Sequence, residues 1–174
     1  AGINNKVNDI YNVLVSGNFK KVNLAKINDR YFFLMAGIGF DSKIVKSVTN
    51  QLKKYLGKII FILKGLQYFL FLKNNKMKIE IHNEEVLADW ILCANSKYYA
   101  GSYNITKETD IFDNKLIAFI FEDLTRIKLL HYIFLILIKG DLGSAKSVIK
   151  KDFEEIKIFR INDKLLSQVD GENC

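Results

Sequence analysis

The chain has 174 residues, 49% apolar and 26% charged, so a single domain with a real core is expected and a disordered or fibrous chain is not. A formal net charge of +7 favours anionic partners: phospholipid headgroups, nucleotides or nucleic acid. Two cysteines and two histidines exclude a disulfide framework and a clustered zinc site.

Ala1 to Val13 has no positively charged start followed by an apolar core, so no signal peptide is expected. Residues 4–16 place Val7, Ile10, Tyr11, Val13 and Leu14 near one helical face, and Gly17 reads as the stop. Lys20 to Ile27 alternates polar and apolar, as a half-buried strand does. Asn28-Asp29 is a turn signal, and Tyr31 to Ala36 is an apolar strand running into Gly37 and Gly39. Together these predict a hairpin. Residues 41–72 read as helical, and Leu56 to Leu72 is strongly apolar. Two lysines and two glycines interrupt it, so a helix packed on a sheet or resting one face on lipid fits better than a membrane span.

Lys76 to Ile81 alternates and is followed by the turn 82–85 and the apolar run Val86 to Asn95, a second predicted hairpin. Residues 96–110 are polar and loop-like, Leu116 to Phe121 reads as a buried strand, and Arg126 to Lys139 as an apolar helix. Ile156 to Ile161 and Leu165 to Val169 form a third predicted pair of strands, joined at Asn162-Asp163. No proline or repeat divides the chain, so residues 1–174 are taken as one α+β domain: mainly an antiparallel β-sandwich with a few packed helices.

Few residues suggest chemistry on their own. His82 reads as a solvated ring in a turn, His131 as a packed helix residue, and Cys93 as a buried hydrophobe. Gly37-Ile38-Gly39 is a tight strand-to-helix turn rather than a phosphate-cradling loop. Asp110 and Asp113 stand at the mouth of a strand, where oxygen-rich loops suit Mg²⁺; their spacing alone favours an Asx turn with solvated aspartates. Asp170-Gly171-Glu172 sets two acids around a glycine after a strand, a surface turn by spacing alone.

The order of these segments resembles a known family. Tyr31–Ser42 (YFFLMAGIGFDS), the Lys-rich helical stretch 52–70, Leu92–Thr106 (LCANSKYYAGSYNIT), Thr109–Phe121 (TDIFDNKLIAFIF), Gly140, and Val169-Asp-Gly-Glu172 are similar to successive motifs of the bacterial diacylglycerol kinase and sphingosine kinase-like lipid kinases. The resemblance runs from about Val7 to Glu172 and corresponds to the carboxy-terminal domain of such enzymes. It departs at Asn114, where the family has glycine, at Ala100-Gly101-Ser102, where it has three glycines, and at Lys107, where it has proline.

The resemblance implies a β-sandwich that faces, across a cleft, an amino-terminal α/β domain carrying a "GGDGT" nucleotide loop; this chain contains no such loop. By position Glu172 matches the family's general base. Asp113 matches its acidic Mg²⁺ ligand, and Asp110 and Lys115 fall where backbone carbonyls reach the same ion. The implied reaction transfers the γ-phosphate of ATP to a lipid hydroxyl, of diacylglycerol or a related lipid, with this chain inactive by itself. The alternative is a non-catalytic lipid- or membrane-binding module of the same fold. The family continues past this glutamate, so truncation at Cys174 is expected. The implied place is the cytoplasm, peripheral to the inner face of the membrane, with room for a homodimer. Nucleic acid is not expected as a partner, because the aromatic residues lie in apolar runs and not among the lysines.

Overall fold

Two-residue turns organise much of this chain. The computed structural model describes residues 7–48, 59–73, 76–100, 103–161 and 165–174. It begins with helix α1 (Val7–Val15), which ends at Gly17 in the left-handed region (φ 65°) as the sequence predicts. The predicted residues 4–6 of that helix lie outside the described residues. The first hairpin pairs β1 (Ala25–Ile27) with β2 (Arg30–Phe32) around Asn28-Asp29.

The single strand expected over Tyr31 to Ala36 is in fact two. β2 closes the small hairpin, and β3 (Met35–Ile38) enters another sheet. The break has a physical cause. The backbone N–H groups of Phe33, Leu34 and Met35 donate to the carboxylate of Asp170 and so leave the ladder.

Residues 41–72 contain α2 (Phe40–Ser47) and α3 (Ile59–Leu70), with residues 49–58 of the predicted helix outside the described set. β4 (Met77–Ile81) then turns through His82 and Asn83, both at positive φ, into β5 (Glu84–Ala88). The predicted strand from Val86 to Asn95 breaks at Asp89, and β6 (Trp90–Ala94) joins the other sheet. Asp89 is buried there: its N–H donates to the Phe121 carbonyl, and its Oδ2 accepts from the Leu124 N–H and lies 3.3 Å from Lys76 Nζ.

The stretch expected to be loop-like carries the short pair β7 (Tyr98–Tyr99) and β8 (Tyr103–Asn104). β9 (Leu116–Phe121) is buried from Ile117 onward, as predicted. Helix α4 (Arg126–Phe134) widens into a π-helical turn over Leu135–Lys139 and ends at Gly140, whose φ is 61°. β10 (Ile149–Phe153) is not anticipated by the sequence, because two lysines and an aspartate dilute its apolar pattern. The third predicted pair does not form. β11 (Lys157–Arg160) pairs with β4, whereas β12 (Ser167–Val169) pairs with β3 and with β13 (Glu172–Asn173). The division follows burial: Gln168 and Val169 are interior, while β11 is mostly exposed at the edge of its sheet.

A six-stranded antiparallel sheet in the order β10-β9-β6-β3-β12-β13 forms the centre. One face meets the three-stranded sheet β11-β4-β5 through Met77, Ile79 and Ile81 against Ile38, Ile91 and Ile120. The other face carries Trp90, Leu92 and Phe119 against Leu129, Tyr132 and Leu135 of the helical layer. Cover on both faces explains why β6 and β9 read as continuous apolar runs. The architecture is α+β: sheet on sheet, with helices on the far side.

Candidate functional site at one end of the central sheet

The antiparallel ladder brings several chain ends to one rim. Register pairs Ile117 with Ala94, Ala94 with Met35, and Ala36 with Val169. The start of β9, the end of β6, the start of β3 and the end of β12 therefore share one end of the sheet. The loop holding Asp110, Asp113 and Lys115 leads into β9, and the Asp170-Gly171 turn leads into Glu172. Three strand spacings of about 4.8 Å separate β9 from β12, so the two features stand roughly 14 Å apart on that rim.

Asp110 and Asp113 make a closed turn. The Asp113 N–H donates to the Asp110 carbonyl at 2.9 Å, and the Asp110 N–H donates to Asp113 Oδ2 at 3.1 Å. The Lys115 carbonyl accepts the Thr109 hydroxyl at 2.7 Å, and the Asp110 carboxylate pairs with Lys97 at 3.2 Å. Among the described residues no group of three or more His, Cys, Asp and Glu side chains gathers as a metal site. A metal here would therefore depend on carbonyl oxygens. The donor set fits Mg²⁺ in kind: one carboxylate at Asp113 and the hard carbonyl oxygens of Asp110 and Lys115, each with a lone pair beyond its present hydrogen bond. Lys97 neutralises the Asp110 side chain, which leaves that residue's carbonyl as its natural contribution.

Glu172 opens β13, directly opposite Val169, and is exposed. The two residues between them, Asp170 (φ 49°) and Gly171 (φ 84°), are both left-handed, as a type I′ hairpin requires. Asp170 does not face a reaction site. Its carboxylate accepts the N–H groups of Phe33, Leu34 and Met35 at 2.8, 2.8 and 3.0 Å.

A hydrogen-bonded chain ties the two features together. The Asn23 N–H donates to the Ile111 carbonyl at 2.6 Å, and the Asn23 side chain donates to Asn95 Oδ1 at 2.7 Å. The buried Asn95 amide donates in turn to the carbonyls of Asn23 and Phe33. Phe33 reaches the Asp170 carboxylate, so a single network spans the rim.

Sequence reasoning passes over Asp41 and Gln168, although Asp41 lies within the GFD of the family-like stretch. Both are buried. Burial pushes the Asp41 carboxyl up to about 6, against the opposing pull of its hydrogen bonds from Gln168, Trp90 and Ser42. The native state therefore holds a proton there that the unfolded chain, with a carboxyl near 3.8, has already lost. Stability from this group is present below pH 3.8 and is lost as the pH rises to about 6, by about 3 kcal/mol in total. Between pH 4 and pH 7 the stability of Asp41→Asn should gain on wild type by up to that amount in urea denaturation. An equal gap at both pH values would refute it.

Among the described residues no helix is long and apolar enough to cross a membrane. The outer face of α4 and its π extension nonetheless exposes Ile127, Leu130, Phe134 and Ile138. The segment after it returns to the rim, where the Leu142 N–H donates to the Ile105 carbonyl at 2.8 Å.

The fold resembles that of about half the chain of solved bacterial diacylglycerol kinases. A crystal structure of a diacylglycerol kinase from Bacillus anthracis str. Sterne superposes with a TM-score of 0.69 and 21% identity, over 98% of this chain and 55% of that one. A diacylglycerol kinase of Staphylococcus aureus is 25% identical over 174 residues, 98% of this chain and 54% of its own length. The chain thus spans about half the length of the curated relative it matches. No protein-family model matches it. The resemblance to bacterial diacylglycerol kinases holds over nearly the whole chain, in sequence and in fold.

Proposed function

We propose that this chain is the carboxy-terminal part of an ATP-dependent lipid kinase that phosphorylates a lipid hydroxyl, of diacylglycerol or a related lipid. One observation carries the reading: Glu172 projects from a clamped two-residue turn on the same rim as the Asp113 loop. Similarity to diacylglycerol kinases across 98% of the chain supports it.

In this mechanism the Glu172 carboxylate accepts the proton of the lipid hydroxyl as its oxygen attacks the γ-phosphorus. The bond from that phosphorus to the β–γ bridging oxygen breaks, and ADP leaves. The Asp113 carboxylate and the carbonyls of Asp110 and Lys115 would hold Mg²⁺, which would order this loop on the side of the rim away from Glu172. The Asn23–Asn95 network keeps that loop in fixed relation to the Glu172 turn. The nucleotide sits on an amino-terminal domain outside this chain. Helix α1 buries none of its residues on the sandwich, which leaves its Ile10 and Leu14 side chains open to such a neighbour.

The exposed apolar side chains of α4, flanked by Arg126, Lys128 and Lys139, suit contact with an anionic bilayer at the cytoplasmic face, where the substrate resides. The test is made on the full-length protein. Given ATP, Mg²⁺ and phosphatidylglycerol vesicles carrying diacylglycerol, it should produce the phosphorylated lipid. Vesicle binding with no transfer to any diacylglycerol or sphingoid acceptor would replace this reading with the non-catalytic lipid-binding module.

A further inference from the structure

Asp41 is 4% exposed, at the start of α2, and is held by uncharged donors. Oδ1 accepts the Ser42 N–H at 2.9 Å and the Trp90 indole N–H at 3.0 Å, and Oδ2 accepts the Gln168 amide N–H at 2.8 Å. The other end of Gln168 is equally committed: its Oε1 accepts the Gly171 N–H at 2.9 Å. Glu172 is the next residue.

The polarity of this relay has only one solution. A carboxylate can only accept, so it turns the NH₂ end of Gln168 toward itself and the oxygen end toward Gly171. The backbone is also shaped around it. A Cβ on Gly37 would come within 2.0 Å of Asp41 Oδ2, so the carboxylate lies against a position only glycine can fill. An ionised group in this interior lowers stability at neutral pH, a pattern typical of groups kept for function.

We propose that Asp41 is a positioning residue for Glu172: acting through Gln168, it fixes the Asp170-Gly171 turn and so sets where the Glu172 carboxylate stands. The functional half of this inference rests on the lipid-kinase reading. Among the described residues, Cys93 on β6 and Tyr99 on β7 both feel the Asp41 charge. Burial and that charge push the Cys93 thiol up to about 12 and raise the Tyr99 phenol well above its usual range, so both remain neutral when Asp41 ionises.

The polarity argument supplies its own rescue. In Asp41→Asn the new NH₂ faces the Gln168 NH₂, and Gln168 must turn over, setting its NH₂ against the Gly171 N–H. In Gln168→Glu two carboxylates meet in the interior. In the double variant Asp41→Asn/Gln168→Glu the order is restored. The new amide at position 41 accepts the Trp90 N–H through its oxygen and donates its NH₂ to the new carboxylate at position 168. The other oxygen of that carboxylate accepts the Gly171 N–H.

The experiment measures kcat and KM of the four full-length proteins on diacylglycerol vesicles, together with hydrogen exchange at the Gly171 amide and the melting temperature. Each single variant should lose roughly 10- to 100-fold in kcat with KM for ATP unchanged, and exchange faster at Gly171. The double variant should recover both, to within roughly three-fold of wild type. A double variant that stays impaired or fails to fold overturns the proposal, as does a wild-type kcat in Asp41→Asn. If the wild-type protein phosphorylates no lipid, the kinase reading falls and exchange alone decides. Loss of protection in the single variants and its return in the double supports the relay, and unchanged exchange overturns it.

Discussion

Glu172→Gln in the full-length protein should lower kcat for lipid phosphorylation by roughly 10²- to 10⁴-fold and leave KM for ATP nearly unchanged. The substitution keeps the shape of the side chain and removes its capacity to accept a proton. Glu172 is exposed at the first position of β13, so no core contact is lost. Its backbone pairing with Val169 does not involve the side chain, and the turn before it is held by Asp170 and Gln168. Melting temperature should therefore stay within a few degrees of wild type, which separates a chemical effect from a folding one. Because general-base catalysis acts only in the transition state, the loss should fall on kcat and kcat/KM alike. A Gln variant that retains most of the wild-type kcat would remove Glu172 from the reaction. The base would then have to come from outside the rim described above.

Much of the fold is legible in the sequence because its two commonest devices are local. Alternation marks β4, and a buried apolar run marks β9, since those residues see one kind of neighbour all along their length. Strand partners are another matter. β12 follows β11 closely, yet pairs with β3 more than a hundred residues away, because Gln168 and Val169 belong to the interior and β11 does not. The broken strands at Phe33-Leu34 and Asp89 are equally invisible in the sequence. At the first, Asp170 accepts backbone N–H groups that a continuous strand would have paired, and at the second the buried Asp89 accepts the Leu124 N–H. At the rim, the motif order singles out Asp110, Asp113, Lys115 and Glu172 and places them at chain positions that the sheet does bring to one end. It carries no sign that Asn95 links the two sides of the rim, or that Asp41 and Gln168 brace the turn before Glu172. Their signal is a hydrogen-bond polarity, which exists only once the strands are in register.

The Asp170 of the family-like DGE belongs to the clasp rather than to the chemistry, and Asp170→Ala should lower stability by about 3 kcal/mol. Hydrogen bonds to a charged acceptor contribute roughly 1.5–3 kcal/mol each when well sheltered, and water takes a share at this exposed turn. Three such bonds are lost at once: from Phe33, Leu34 and Met35. Alanine must also adopt the φ of 49° that aspartate tolerates more readily, which costs about 1 kcal/mol. Asp170→Asn separates the contributions. Its remaining carbonyl oxygen, placed at Oδ1, still accepts from Leu34 and Met35, and only the Phe33 N–H is left opposite an NH₂ group. About 1 kcal/mol is expected for that variant. Asp170→Gly relieves the backbone but restores no bond, so it should fall between Asn and Ala. Urea denaturation of the three variants should therefore rank them Asn, Gly, Ala in order of increasing damage. Equal losses for Asn and Ala would mean that charge, and not acceptor geometry, holds β3 against the β12–β13 turn. In a domain whose total stability is roughly 5–15 kcal/mol, the loss in Asp170→Ala is a large fraction of the whole. It falls on the one turn that carries Glu172, so activity at physiological temperature should decline with it.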